Sequence, residues 1–263
     1  MIDSPSRRLA FGRIGGGLLA ALASSSVLSS PAPAETAESA GALARLTQGL
    51  RQIPRRRGFK SVPFLLTDPQ DWDEQASRLL LAYGYHTKQA WENTEITAGW
   101  PVLMREAMNG EVFSHRNPEF LEVSATHGLA HLALFNDDAW SRYGLSQLAG
   151  PQFATNTLIR EKPAVARSDD PQDVDGFYGP LNNNIVSLQK RGAVFVACHD
   201  SIYAIARRLQ SAAAPQSQLA RMSTGIVAAD LTNSLIPDCV LVPSVVAFLV
   251  ELQKAGFTYV KGS

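Results

Sequence analysis

The chain has 263 residues, 24 basic and 24 acidic side chains, 45% hydrophobic residues and a mean hydropathy of −0.05. That is enough chain to bury one core of good size or two small ones, and it excludes a fibrous or highly charged disordered protein. The balanced charge gives no general case for a nucleic-acid partner. Past residue 34 no apolar run approaches the roughly 18 residues that a membrane span needs.

Residues 1–34 read as a targeting segment. Ser6-Arg7-Arg8-Leu9-Ala10-Phe11 has the form of a twin-arginine export signal. A weakly apolar Gly/Ala-rich stretch follows over 14–28, and Ala32-Pro33-Ala34 supplies the small residues a signal peptidase needs. A membrane anchor is the competing reading, but the stretch is short and diluted by glycine and serine. The expectation is cleavage near Ala34 and a periplasmic product. Cleavage leaves 21 basic and 23 acidic side chains, a net charge of −2.

Residues 35–110 are expected to form a helical extension and arm, with helices over 41–52, 71–91 and 100–108. In the helix over 71–91, Trp72, Ala76, Leu79, Leu80 and Tyr83 fall near the 3.6 period. Arg55-Arg56-Arg57 beside Pro54 and Gly58 reads as a solvated linker rather than a binding patch. From 111 to 263 strands and helices alternate. Strands are expected over 120–125, 193–198, 240–243 and 257–260, with Phe113 as a further strand start. Helices are expected over 129–143, 184–191, 200–210, 218–235 and 245–254. Residues 161–182 carry no period and read as a long loop of the kind that serves as a lid or binding element. Alternation of this sort implies parallel pairing and an open α/β sheet covered on both faces.

The chemistry concentrates at Ala193-Val194-Phe195-Val196-Ala197-Cys198-His199-Asp200-Ser201. A buried strand ends in a thiol where a helix begins, a common place for ligands and reactive groups in α/β proteins. Unpaired N–H groups at the start of that helix would favour an anion on sulfur. The competing reading is an inert buried cysteine, since Cys is among the most buried residue types. Cys239 precedes the 240–243 strand, at the opposite end of the sheet. Four to five residues of strand separate it from Cys198 by about 15 Å, beyond the roughly 7 Å a disulfide tolerates, so no bridge is expected.

His127 ends the 120–125 strand on the same edge as Cys198 and reads as a proton-transfer partner, a hydrogen-bond donor or a structural histidine. His127 and His131 have zinc-compatible spacing, but Gly128 marks a turn between them and no third ligand is evident. Asp137 and Asp138 read as a solvated face, and Trp140 and Tyr143 as core. No phosphate-binding glycine loop lies outside the leader and no Gly-X-Ser-X-Gly elbow occurs. The residues imply neither cofactor nor resident metal.

Leu241-Val242-Pro243-Ser244-Val245-Val246, followed by Leu252-Gln253-Lys254-Ala255-Gly256-Phe257-Thr258-Tyr259-Val260, resembles the DsrE/DsrF-like sulfur-relay family. In that family an upstream apolar strand ends in a cysteine, and that position here is Cys198. Ser124-Ala125-Thr126-His127-Gly128 with Asn136-Asp137-Asp138-Ala139-Trp140 is similar to exported members. The resemblance covers roughly residues 110–260. It implies a three-layer flavodoxin-like fold with a parallel sheet, here carrying extra N-terminal helices. It implies homo- or hetero-oligomers, a sulfur-carrier or other protein partner, and in some members a persulfide on the strand-end cysteine. The expected function is sulfur binding or transfer through Cys198, with His127 and His199 nearby. The alternative is a non-catalytic binding or assembly protein whose N-terminal helices and 161–182 loop form an interface. A metal protein using His127 and His131 is a third reading.

Overall fold

Five parallel strands set the frame of this computed structural model, which describes residues 41–262; the expected leader lies outside the described residues. In chain order the elements begin with α1 (Ala42–Gln52), an arm ending in a 3-10 turn at Pro69–Asp71, and α2 (Glu74–Leu81). Then come β1 (Lys88–Asn93), α3 (Trp100–Asn109) running into a π turn at Gly110–Ser114, and β2 (Leu121–Thr126). A 3-10 run at Gly128–Leu134 leads to α4 (Asp137–Tyr143), α5 (Ser146–Ala149) and α6 (Ile185–Lys190). The C-terminal part is β3 (Val194–Cys198), α7 (His199–Ala212), α8 (Gln218–Arg221), α9 (Thr224–Asn233), β4 (Val240–Val242), α10 (Val245–Lys254) and β5 (Thr258–Lys261).

The strand order is β4-β3-β2-β1-β5, every pair parallel. From β1 to β4 the chain steps in one direction, then crosses back to place β5 beside β1. Parallel crossovers are right-handed, so steps in one direction put their helices on one face and the return puts its helix on the other. The packing agrees. Trp100 and Met104 of α3, Leu188 of α6, Ile202 of α7 and Val227 of α9 share a core with Phe195 and Ala197. Leu46 of α1, Leu80 of α2 and Leu249 of α10 share the other with Val194, Val196 and Val123. This is the doubly wound, three-layer α/β class that was expected. Its winding has one difference: a flavodoxin reverses after its second strand, whereas this chain reverses after β4.

Local sequence explains the well-placed elements. Val194-Phe195-Val196-Ala197-Cys198 is buried throughout, as a strand covered on both faces must be. Asn184 accepts from the Ser187 N–H at the start of α6, and Asn136 accepts from the Ala139 N–H at the start of α4.

Several sequence expectations are corrected. The helix over 71–91 is cut to Glu74–Leu81, and residues 88–93 form β1, paired on both sides by β2 and β5. Tyr83-Gly84-Tyr85 ends the helical run, and pairing of six residues with β2 and four of them also with β5 outweighs the apparent helical spacing of Trp91. The sheet therefore begins on the N-terminal side of the expected boundary at 111. Phe113 lies in a π turn, not a strand. The helix over 129–143 breaks where Phe135 bridges to Leu235 and Asn136 caps α4. The helix over 218–235 breaks at Met222-Ser223, where Ser223 caps α9.

The three arginines are also not a solvated linker. Arg55 Nε and Arg57 Nη2 both donate to the Cys239 carbonyl. Arg57 Nη1 and the Arg56 N–H donate to the Asp73 carboxylate, whose Oδ2 also accepts the Leu241 N–H at 2.8 Å. The Asp73 N–H in turn donates to the Leu241 carbonyl. Asp73 thus occupies the open edge of β4, where unpaired backbone groups would otherwise invite another strand. Its side chain is fully buried. Asp73→Ala should leave the Leu241 and Arg56 N–H groups without their acceptor and Arg57 without its carboxylate, and cost about 2–4 kcal/mol in urea unfolding; a loss within error of zero would show that this edge closure is not stabilising.

Candidate functional site

The return crossover makes β3 and β4 diverge at their carboxyl ends. Cys198 and Val242 are register partners. The chain leaves Cys198 into α7 on one face and leaves Val242 through Pro243-Ser244 into α10 on the other. In open α/β sheets the carboxyl edge at such a divergence is the usual ligand position.

Cys198 lies at that point, 2% exposed. Its side chain shares the α10 face with Val196, Val242 and Val245. The sulfur accepts the Val245 N–H at 3.4 Å. Ser244 makes no side-chain cap at this helix, so Sγ serves one of the orphan donors of the first turn. The sequence placed the thiol under α7; the structure places its sulfur against α10. Side chains alternate across a strand, so Cys198 follows Val194 and Val196 and turns from the face that α7 covers. Cys239 is also a free, buried thiol, and it packs in the opposite core from Cys198. In the observed register the two are three residues apart along paired strands, about 10 Å at the usual rise, less than the expected 15 Å.

His199, the first residue of α7, is 1% exposed. Its Nε2 lies 2.9 Å from the Pro63 carbonyl, which can only accept, so the proton is on Nε2. Nδ1 is buried without a partner. Burial lowers the ring's pKa, against the pull of the Pro63 carbonyl. His199 therefore fastens the arm to the sheet edge. Beside it Phe64 meets Tyr203 edge-on at 5.3 Å. Phe64 and Leu65 stand 57% and 61% exposed.

His127 follows β2. Its Nε2 lies 3.0 Å from Glu92 Oε1, and Glu92 Oε2 accepts the Tyr259 hydroxyl. Both His127 and Glu92 keep about a fifth of their side-chain surface exposed (19% and 20%). Glu92 is held below the ordinary carboxylate range, chiefly by the Tyr259 hydroxyl and further by His127, while burial opposes them. The Tyr259 hydroxyl is raised by the same carboxylate. Below this cluster Asn93 Nδ2 donates to Ser124 Oγ, which shares a hydrogen bond with Thr126 Oγ1. The Gly128 N–H donates to Ser201 Oγ at 3.0 Å. Gly128 has φ +58°, and a Cβ there would meet the Thr94 carbonyl oxygen at 2.8 Å, so only glycine fits this turn.

Cys198, His127 and His199 thus share one sheet edge, but each has its own partner: the Val245 N–H, Glu92 and the Pro63 carbonyl. Sequence reasoning missed Glu92 and Tyr259. Glu92 was hidden because β1 was hidden; Tyr259 lay in an expected strand, but only β1 gives its hydroxyl an acceptor. His127 and His131 do not converge. His131 is fully buried with both ring nitrogens unpartnered, its ring 5.0 Å from that of Phe135. Among the described residues no three His, Cys, Asp or Glu side chains gather as a metal site. Asp137 pairs with Arg160, and Trp140 is core, donating to the Leu132 carbonyl. No helix of the described residues is long and apolar enough to cross a membrane. The chain matches no protein-family model, no curated protein and no solved structure.

Burial drives the His131 ring down to about 3 from 6.5, with His127 and His199 acting in the same direction. The unfolded chain then binds the extra proton first. Its contribution to stability is present above pH 6.5 and is lost as pH falls from there toward 3. Unfolding free energy measured across that window should fall more steeply in wild type than in His131→Leu. Parallel profiles would show that His131 does not titrate in this way.

Proposed function

We propose that this chain is an exported, periplasmic, DsrE-like binding or assembly protein without catalytic activity, and that the carboxyl edge of its sheet docks a second copy of itself. One observation carries this reading. His199 holds the arm so that Phe64 and Leu65 project from the sheet edge, while the thiol beneath is closed off by valines. Exposed adjacent apolar side chains on an anchored segment are the features of a protein contact. The export half of the reading rests on Arg7-Arg8 and the small-residue site at Ala34. The DsrE-like half rests on the motif order and on a sheet whose strand-end cysteine lies at the divergence of β3 and β4.

A second reading, sulfur binding or transfer through Cys198, is favoured by the Sγ contact with the Val245 N–H. A sulfur species carried there would meet the amino end of α10. The two readings differ in access.

Sedimentation of the full chain should show self-association, weakened about tenfold or more by the Phe64→Ser/Leu65→Ser double variant. A wild type that stays monomeric across concentration would overturn self-docking. Titration with an aromatic disulfide reagent should find no reactive thiol in the native protein and two after unfolding. Rapid native labelling of Cys198, absent in Cys198→Ser, would instead overturn the closed-off thiol and favour the sulfur reading.

A further inference from the structure

Where the arm passes α9, a cleft of about 470 Å³ lies between the arm, the end of α4, α8 and α9. Five apolar side chains wall it: Phe59, Tyr143, Leu219, Met222 and Ile226. The first four are half-buried against the core that α7 and α9 share, and Ile226 is 40% exposed. Apolar groups left in reach of water around one concavity cost the folded chain free energy that a covering ligand would recover.

Polar side chains hold these walls in place. Asn233 holds Phe59: its Oδ1 accepts the Gly58 and Phe59 N–H groups, and its Nδ2 donates to the Phe59 carbonyl at 2.8 Å. Gln210 of α7 donates to the Leu219 and Met222 carbonyls, while its Oε1 accepts the Thr224 hydroxyl. Asp230 holds Tyr143 by accepting its hydroxyl at 2.8 Å, and it pairs with Arg142. Walls fixed in this way need little ordering when a ligand enters, and ordering is a main cost of binding.

The charges select the ligand. Asp230 and Arg142 compensate each other. Lys60 lines the same cleft and has no ion-pair or hydrogen-bond partner among the described residues. The cleft therefore offers an apolar bed and one uncompensated cation.

We propose that it binds a small amphipathic monoanion, a medium-chain carboxylate, with its hydrocarbon on Phe59, Leu219, Met222 and Ile226 and its head group at Lys60. Both the volume and the lining, mostly apolar with few polar groups, match small-molecule sites, which run to roughly 300–1,000 Å³. The site lies apart from Phe64 and Leu65 and does not rest on self-docking.

The test is calorimetric titration of octanoate into the full chain, with octanol as the uncharged comparison. Saturable binding of one equivalent of octanoate is expected, with octanol weaker by about threefold or more. Lys60→Gln should bring octanoate down to the level of octanol. Ile226→Asp changes an exposed position in the first turn of α9, where an acid is tolerated. It should weaken octanoate about tenfold or more, by removing apolar contact and adding like charge. Absence of saturable octanoate heat, an affinity unchanged in Ile226→Asp, or octanol binding as tightly as octanoate would overturn the proposal.

Discussion

The reversal of winding after β4 is the constraint on which the arrangement of this protein depends. Four strands laid down in one direction commit α3, α6, α7 and α9 to one face. With β5 beside β1, a right-handed return allows α10 only the other face. The carboxyl ends of β3 and β4 must then part, and the residue at the parting is Cys198. The direction of its side chain follows from strand alternation, and its hydrogen bond follows from α10 starting three residues beyond its register partner. No local feature of the thiol sets these things; the strand order does.

A sheet wound this way ends in a short edge strand, and the N-terminal segment closes it. Asp73 hydrogen-bonds to both the N–H and the carbonyl of Leu241, while Arg55 and Arg57 occupy the Cys239 carbonyl. The same arm then runs over the amino end of α9, where the Val62 N–H donates to the Gly225 carbonyl, and on to His199. Edge closure and the display of Phe64 and Leu65 are therefore products of one segment. A change that loosens Asp73 reaches the exposed Phe64–Leu65 face through continuous chain.

Much of the C-terminal half was legible because its signals are local and agree with one another. Val194 to Cys198 is uniformly apolar, α7 follows without a gap, and β4, α10 and β5 are separated by Pro243-Ser244 and Ala255-Gly256. β1 was not legible, because Lys88-Gln89-Ala90-Trp91-Glu92-Asn93 carries strong polarity and only two apolar residues. Its strand character comes from neighbours on both sides. Lys88 is buried by donating to the Tyr83 carbonyl and lying over the Phe257 ring, and Asn93 by reaching Ser124. Apart from Tyr83 those partners are far away in sequence, and so is the acid that meets His127. The arginine run misled for the same reason: its acceptors are Asp73 and a carbonyl some 180 residues further on.

Access decides what the thiol can do. A reagent reaching Cys198 Sγ from the carboxyl edge on this face must move the start of α10, whose Val245, Phe248 and Leu249 are all buried. Exposing two such side chains costs roughly 3–6 kcal/mol. An opening of that size is populated at about one part in a hundred and forty to one in twenty thousand. Sulfur exchange at such a site would be slow for any reactant that does not itself stabilise the open form. A protein bound at Phe64 and Leu65 lies beside α7, on the opposite face from α10. It does not repay the lost packing of Val245 directly. The exposed side chains and the buried sulfur therefore lie on different faces, and the outward-facing pair is the one that needs no rearrangement to be reached.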